Sequence, residues 1–375
     1  MQSGDSLADR LREAAVAQGL DGIGIAPAVT PVGYHRLLRW LDQKYHGEMS
    51  WMERRRETAE HPDSMLRGTR SVIVAAVNYY SSSPDSSIGR YSRYVHGVED
   101  YHSVLKRRLK PLADLIREEF PHERTRIVVD SAPLLERDFA QLSGLGWIGK
   151  NTMLISRQLG SWFFLGAILT TAELPADTEH MQSFCGTCTR CLDACPTDAF
   201  PEAGVLDARR CISYLNIELR EQMIPADLRE GMGEWLFGCD VCQEVCPWNR
   251  FAPDTQISEF QPGETGGLLD ARQLLRLTES EFARHFRGTP MQRSGVEVLR
   301  RNAAIVLGNL RDRSAEGDLL QALSDPFRQV RMASAWALCQ LGEPHCLNAV
   351  QLAAEGEADR EVAADMRRSL ADASS

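Results

Sequence analysis

Along the first 178 residues the spacing of apolar positions switches back and forth between the period of a helix and that of a buried strand. Ser6 to Gln18 gathers its apolar residues on one helical face and is closed by Gly19, and Tyr34 to Tyr45 is a second amphipathic segment. SVIVAAVNYY (71–80), RTRIVVD (124–130) and SWFFLGAILTT (161–171) have the length and the branched, aromatic content of buried strands, with a helix from Asp100 to Glu119 between the first two. This alternation predicts a mixed α/β or α+β domain over residues 1–178. ELPADTEHMQS then breaks the pattern. Residues 179–252 hold most of the cysteines and only short elements, as a small module organised by metal would. From about Leu268 the chain reads as helical. LRRNAAIVLGNL (299–310) and VRMASAWALCQL (330–341) resemble each other, which predicts HEAT-type helix pairs over 265–370.

Composition narrows the class. With 375 residues, 43% hydrophobic and 25% charged, the chain suits two or three ordinary domains. It has no run of about 18 uncharged apolar residues. The start MQSGDSLADRLREAAVAQGL has neither a signal-peptide core nor twin arginines, so the expectation is a cytoplasmic monomer with no membrane partner. A net charge of −10 argues against coating nucleic acid by bulk electrostatics but leaves room for a local basic patch. Arg54-Arg55-Arg56 and Lys106-Arg107-Arg108 with Lys110 are the candidate phosphate contacts, set against the ordinary reading of such runs as solvated helix faces.

The cysteines carry the most specific signal. Cys185-x2-Cys188-x2-Cys191-x3-Cys195-Pro196 is the bacterial ferredoxin run, and Cys239-x2-Cys242-x3-Cys246-Pro247 repeats it without the first member. Leu236 stands where that member belongs, and Cys211 is the free substitute. The cysteine before each proline crosses to the other cluster. Cys185, Cys188, Cys191 and Cys246 are thereby assigned to one 4Fe-4S cluster, and Cys195, Cys211, Cys239 and Cys242 to the other. Paired Cys-x2-Cys also fits structural zinc; two Cys-Pro endings and a count that closes at eight favour iron. Cys339 and Cys346 read as small buried hydrophobes.

DSAPLLERDFAQLSGLGWIGKNTMLI, GSWFFLGAILTT, CGTCTRCLDACPTDAF, CISYLNIE and CDVCQEVCPWN together resemble the epoxyqueuosine reductase family over residues 5 to 345. The resemblance implies an α+β fold in three parts: a nitroreductase-like α/β domain that binds cobalamin (1–178), a ferredoxin-like two-cluster module (179–252) and a HEAT-like helical domain (265–370). It implies reduction of the epoxide on the modified wobble base of tRNA to the alkene of queuosine, with tRNA carrying epoxyqueuosine and a low-potential electron donor as partners. The other readings are a cobalamin reductive dehalogenase-like reductase of a small molecule and a non-catalytic ferredoxin-type protein. The chain departs from the family pattern at Ala132, Ala167 and Asn216, and by one extra residue between Arg93 and Asp100.

By this resemblance Asp130, at the end of RIVVD, is the proton donor; on residue type alone it is a turn aspartate. Ser92 and Arg93 are cofactor-facing candidates, Lys150 and Asn151 are candidates for the corrin amides, and Ser213 beside Cys211 is a further candidate. GLGWIGK (144–150) contains a literal G-x-G-x-x-G, but a helical segment precedes it and no helix clearly opens after it, so a dinucleotide site is rejected. Its glycines read as room for a large flat ligand, or as a plain turn. Asp100-Tyr101-His102 comes near the signature that places histidine on cobalt, but Leu105 occupies its glycine position, so no protein histidine is expected on the metal.

Overall fold

The computed structural model describes residues 6–82, 88–262 and 268–373; the expected start of the helical domain at 265 lies outside them. The chain forms two compact units that interleave along the sequence. The first takes residues 1–82, 97–207 and 241–262, and the second 83–96, 208–240 and 263–375.

The first unit is built on an antiparallel sheet of β1 (Gly22–Pro27), β2 (Ser71–Asn78), β3 (Thr125–Val128) and β4 (Phe163–Thr170) in the order β1-β2-β4-β3. Every residue of β2 is buried because the strand is interior and covered on both faces. Ala75 pairs with Gly166. A Cβ at Gly166 would sit 2.8 Å from Leu109 Cδ1, so glycine lets α2 (Tyr101–Glu119) lie close on this face. The other face carries Val72, Val74, Ala76, Ala167 and Leu169 and packs on Phe139 and Ala140 of α3 (Glu136–Leu142). Ala167 is fully buried there. An antiparallel sheet with helices on it fits the α+β expectation. α1 (Leu7–Ala17) begins at its cap Ser6 and is followed by Gly19 at φ 68°.

The second unit contains α4 (Val296–Asn309) and α5 (Arg328–Leu341), which match the two repeated segments. A Cβ at Gly308 would come 2.7 Å from the Trp336 ring, so the helices touch through a glycine. α4 also has a polar task. Arg301 is fully buried and donates to Leu219 O at 2.6 Å and Leu215 O at 2.8 Å, while Asn302 donates to Asn216 O at 2.7 Å and Leu236 O at 2.9 Å. The carbonyls of Leu215, Asn216 and Leu219 lie at and just beyond the C-terminal end of the short helix Ile212–Ile217, which follows Cys211.

Asn216, buried in that helix, accepts from Gly238 N at 2.9 Å and donates to Gly238 O at 2.9 Å and Trp235 O at 3.2 Å. It ties the Cys211 segment to the residues just before Cys239. Replacing it by alanine strands buried backbone groups at about 1–3 kcal/mol each. Asn216→Ala is therefore expected to lower the melting temperature by several degrees; unchanged melting would show that these bonds carry no stability.

Candidate functional site

Two constellations of the first unit carry chemistry. The first is the cysteine centre. Cys185, Cys188, Cys191 and Cys246 line one cavity of about 220 Å³ together with Lys150, Asn151, Ile155, Phe184, Pro247 and Trp248. Burial pushes the Cys191 thiol up, and the neighbouring Cys246, Cys185 and Cys188 push it further. Burial also raises Cys246, with Cys185 and Cys188 again adding to it. A cationic core would favour the thiolate forms of Cys191 and Cys246 against this rise, as an iron–sulfur cluster does. A single zinc ion would draw four sulfurs to about 2.3 Å of one point, whereas among the described residues these cysteine sulfurs form no group of three or more within 4.8 Å of one another. The four cysteines that spacing assigned to one cluster are thus brought together. Of the second set, Cys195 and Cys242 belong to the first unit, and Cys211 and Cys239 to the second.

Around the cavity stands an aromatic wall that spacing did not reveal. Trp147 packs edge-on to Trp248 with ring centroids 5.0 Å apart and to Phe184 at 5.1 Å, and the Arg157 guanidinium lies 4.0 Å from the Phe184 ring centre. Lys150 Nζ donates to Gly186 O at 2.8 Å and Cys188 O at 3.0 Å, and Asn151 Nδ2 donates to Cys242 O at 3.2 Å. Both donors are engaged with the cysteine loops, so a corrin contact by either rests on the resemblance alone. The preceding glycines are explained by the chain's own packing. A Cβ at Gly146 would sit 2.2 Å from Ile155 O, and one at Gly149 would sit 2.5 Å from Ile155 Cδ1, in a hairpin pairing Trp147–Ile148 with Leu154–Ile155. This corrects the reading of those glycines as room for a flat ligand.

The second constellation surrounds Asp130. Two residues beyond β3, Asp130 adopts φ 52°, a left-handed conformation that aspartate tolerates better than most residues. Its side chain is 60% exposed, which leaves the carboxyl open to a substrate. Asp130 Oδ2 accepts from Tyr101 Oη at 2.9 Å and lies 3.1 Å from His102 Nε2. Asp100 caps α2 by accepting from His102 N at 3.0 Å, and the same oxygen is 2.8 Å from His102 Nδ1. The cap therefore places Tyr101 and His102 in the first turn and fixes the imidazole between two carboxylates. Tyr101 is held from behind by stacking on Phe164, with centroids 4.2 Å apart and planes 5° from parallel. Burial works to lower the His102 pKa, but hydrogen bonds to Asp100 and Asp130 outweigh it and the pKa rises. On the backbone side, Asp130 N donates to Glu136 Oε1 at 2.6 Å. Burial, reinforced by the Asp130 charge, raises Glu136 to about 8.

Tyr101, His102 and Glu136 are not marked by spacing as partners of Asp130. A helix cap just before Tyr-His, and a glutamate six residues after the aspartate, were the available signals. Among the other sequence candidates, Ser92 is buried in the second unit and its hydroxyl donates to Asp240 Oδ1, whose carboxylate also accepts from Arg93 N at 2.7 Å. Ser213 is half-buried in the Ile212–Ile217 helix beside the buried Tyr214. The basic runs are heavily paired with acids: Arg107 with Glu99 and Glu259, Arg108 with Glu259, Lys110 with Asp114 and Arg56 with Asp42. That pairing favours the solvated-face reading. Arg55 does something else, donating to Ser131 O at 2.8 Å beside Asp130.

Comparison with known proteins gives three family matches. Residues 60–131 match the family described as epoxyqueuosine reductase QueG, DUF1730, residues 184–249 a 4Fe-4S double cluster binding domain, and residues 291–371 HEAT repeats. The chain is 41% identical over 310 residues to the epoxyqueuosine reductase of Vibrio cholerae, covering 81% of this chain and 83% of the relative. A crystal structure of epoxyqueuosine reductase with an epoxyqueuosine-modified tRNA-Tyr stem loop superposes with a TM-score of 0.91 at 30% identity, covering 98% of this chain and 99% of that one. The Bacillus subtilis epoxyqueuosine reductase, solved with its catalytic aspartate loop swung out of the active site, superposes with a TM-score of 0.88 at 30% identity, covering 97% and 98%.

Two outcomes test these constellations. Cys191→Ser should lower the iron content from about eight per chain toward about four, because one cluster loses a ligand; iron analysis at the parental value would remove Cys191 from the set. Glu136 binds its proton more tightly folded than unfolded, so its stabilising effect is complete below the unfolded carboxyl value and is lost as pH rises toward about 8. Melting temperatures of the parent chain and Glu136→Gln, compared from pH 5 to 8, should shift steadily in the variant's favour; a constant difference would contradict the raised value.

Proposed function

Because the chain belongs to the epoxyqueuosine reductase family, we propose that Asp130 delivers the proton to the oxygen that leaves the epoxide, with Tyr101 and His102 holding its carboxyl in place. The reaction reduces the epoxide of epoxyqueuosine in tRNA to the alkene of queuosine. Both epoxide C–O bonds break, two electrons and two protons are taken up, and the oxygen departs as water. An unprotonated oxygen would have to leave as alkoxide or hydroxide, so an acid at this point lowers the barrier, typically by a factor of about 10²–10⁴. The observation that carries the reading is the exposed Asp130 carboxyl against a histidine whose pKa is held up by two carboxylates. His102 is the neighbouring store from which Asp130 regains a proton.

Two 4Fe-4S clusters and cobalamin are the cofactors. Cys185, Cys188, Cys191 and Cys246 hold one cluster, and Cys195, Cys211, Cys239 and Cys242 the other, as an electron relay. Bound cobalamin supplies a strongly reducing, nucleophilic cobalt. Its holder is the nitroreductase-like α/β domain, with Ser92, Arg93, Asp130, Lys150, Asn151 and Ser213 as the cofactor-side candidates. Both ring nitrogens of His102 face carboxylates, so this imidazole serves proton chemistry and not metal ligation. The HEAT-like helices help to grip the tRNA, and a low-potential carrier supplies the electrons to a cytoplasmic monomer.

Protein reconstituted with iron, sulfide and cobalamin and supplied with a strong reductant should convert epoxyqueuosine in tRNA to queuosine, read by mass spectrometry of the digested nucleosides as loss of one oxygen. Unchanged nucleoside with all cofactors verified would sink the activity. Asp130→Asn should cut turnover about a hundredfold or more while the cofactors stay bound; parental turnover would take Asp130 out of the mechanism.

A further inference from the structure

Asp130 presents its carboxyl from a turn that an L-residue adopts at a cost. A left-handed backbone conformation costs about 1–2 kcal/mol for an ordinary side chain, and this one follows directly on the buried Val129 at the end of β3. Something must hold it. The carboxyl end is gripped by Tyr101 and His102, and Arg55 takes the carbonyl of the next residue. The amide of Asp130 itself points to one partner, Glu136 Oε1 at 2.6 Å.

Glu136 is placed for this by its own element. It opens α3, and Leu135 before it makes no side-chain cap. An acid in the first turn of a helix would ordinarily serve that helix's own free amides and its dipole. Here the carboxyl reaches out of the helix, six residues back along the chain, to the amide of the proposed proton donor.

We propose that Glu136 is the positioning residue for Asp130: its carboxyl fixes the left-handed turn by holding the Asp130 amide, and so keeps the Asp130 carboxyl against Tyr101 and His102. The inference rests on the reading of Asp130 as proton donor. It explains why a second carboxyl stands beside the first. With its pKa raised to about 8, Glu136 is neutral at ordinary pH and accepts the amide hydrogen without adding a second negative charge next to Asp130. Its action is indirect. Glu136 aims the group that gives the proton, and a displacement of about 1 Å at such a group is enough to cost about a hundredfold in rate.

The test uses the holoenzyme and an epoxyqueuosine-bearing tRNA stem loop, with kcat and KM measured beside iron and cobalamin content. Glu136→Ala should lower kcat about tenfold to a hundredfold, leave KM within about twofold and leave both cofactors bound. Glu136→Gln keeps an oxygen for the Asp130 amide and should recover most of that loss. In the Asp130→Asn background, adding Glu136→Ala should change the residual turnover no further, because a residue that acts through Asp130 has nothing left to aim. A purely structural residue would still show its cost there. Should the alanine variant lose its clusters, Glu136→Asp carries the same expectation, being one methylene short of the amide. Parental kcat in Glu136→Ala, a Gln variant as slow as the Ala variant, or an additive loss in the double variant would overturn the inference. Parental turnover by Asp130→Asn would instead overturn the proton-donor reading and this inference with it; a slow Asp130→Asn beside an unaffected Glu136→Ala overturns the inference alone.

Discussion

Four cysteines gather around one cavity, and the segments that carry them have little else to fold around. Residues 185–195 contribute one short helical turn, Arg190–Asp193, and residues 239–246 another, Val241–Glu244. Neither could hold its cysteines by its own packing, so a bound 4Fe-4S cluster would supply the interior of this region. The protein around it supplies what the metal does not. Lys150 and Asn151 hold loop carbonyls, and Trp147, Phe184 and Trp248 form an apolar wall. Such a wall lowers the polarity on one side of the sulfurs, a lever on a cluster's potential.

The helical repeats do more than extend a surface. In a stack of apolar helix pairs a fully buried arginine is out of place unless its charge is matched by acceptors. Arg301 reaches two backbone carbonyls of the Cys211 segment and the side chains of Gln329 and Asn302. Asn302 then takes carbonyls from that segment and from the strand Trp235–Phe237. The repeat helix α4 thus closes the end of the short helix that follows Cys211.

Much of this was legible from periodicity. The strands 71–78, 125–128 and 163–170 fall inside the runs that spacing marked, and Asp100 proves to be the cap of the helix marked from it. α4 and α5 coincide with the repeated segments because Ala and Leu at helical spacing have one way to be buried. The interleaving of the two units was not legible. A contiguous reading gives residues 179–252 as one module, and the double-cluster family match spans 184–249 within it; what periodicity does not show is that residues 215–236 also bond to the repeat helix through Arg301 and Asn302. Those contacts are made by polar side chains to backbone carbonyls, which leave no period in a sequence. Lys150 and Asn151 illustrate the same gap. Their type said donor, and only the fold says to whom.

The Asp130 constellation shows why residue type alone could not separate a turn aspartate from an acid catalyst: the proposed proton donor is also a turn residue at φ 52°. The turn supplies the exposure, and the neighbours supply the proton affinity. Asp100, Asp130 and Glu136 bring three carboxyls to one small region with His102 as the histidine among them. Burial raises Glu136 to about 8, while the hydrogen bonds to Asp100 and Asp130 raise the His102 pKa against its own burial. A deoxygenation that takes up two protons needs a site that holds protons near neutral pH without being so acidic that it loses them to water. A carboxyl paired with a histidine of raised pKa meets that demand, and the neutral Glu136 lets the pair stand close to a second acid without repelling it.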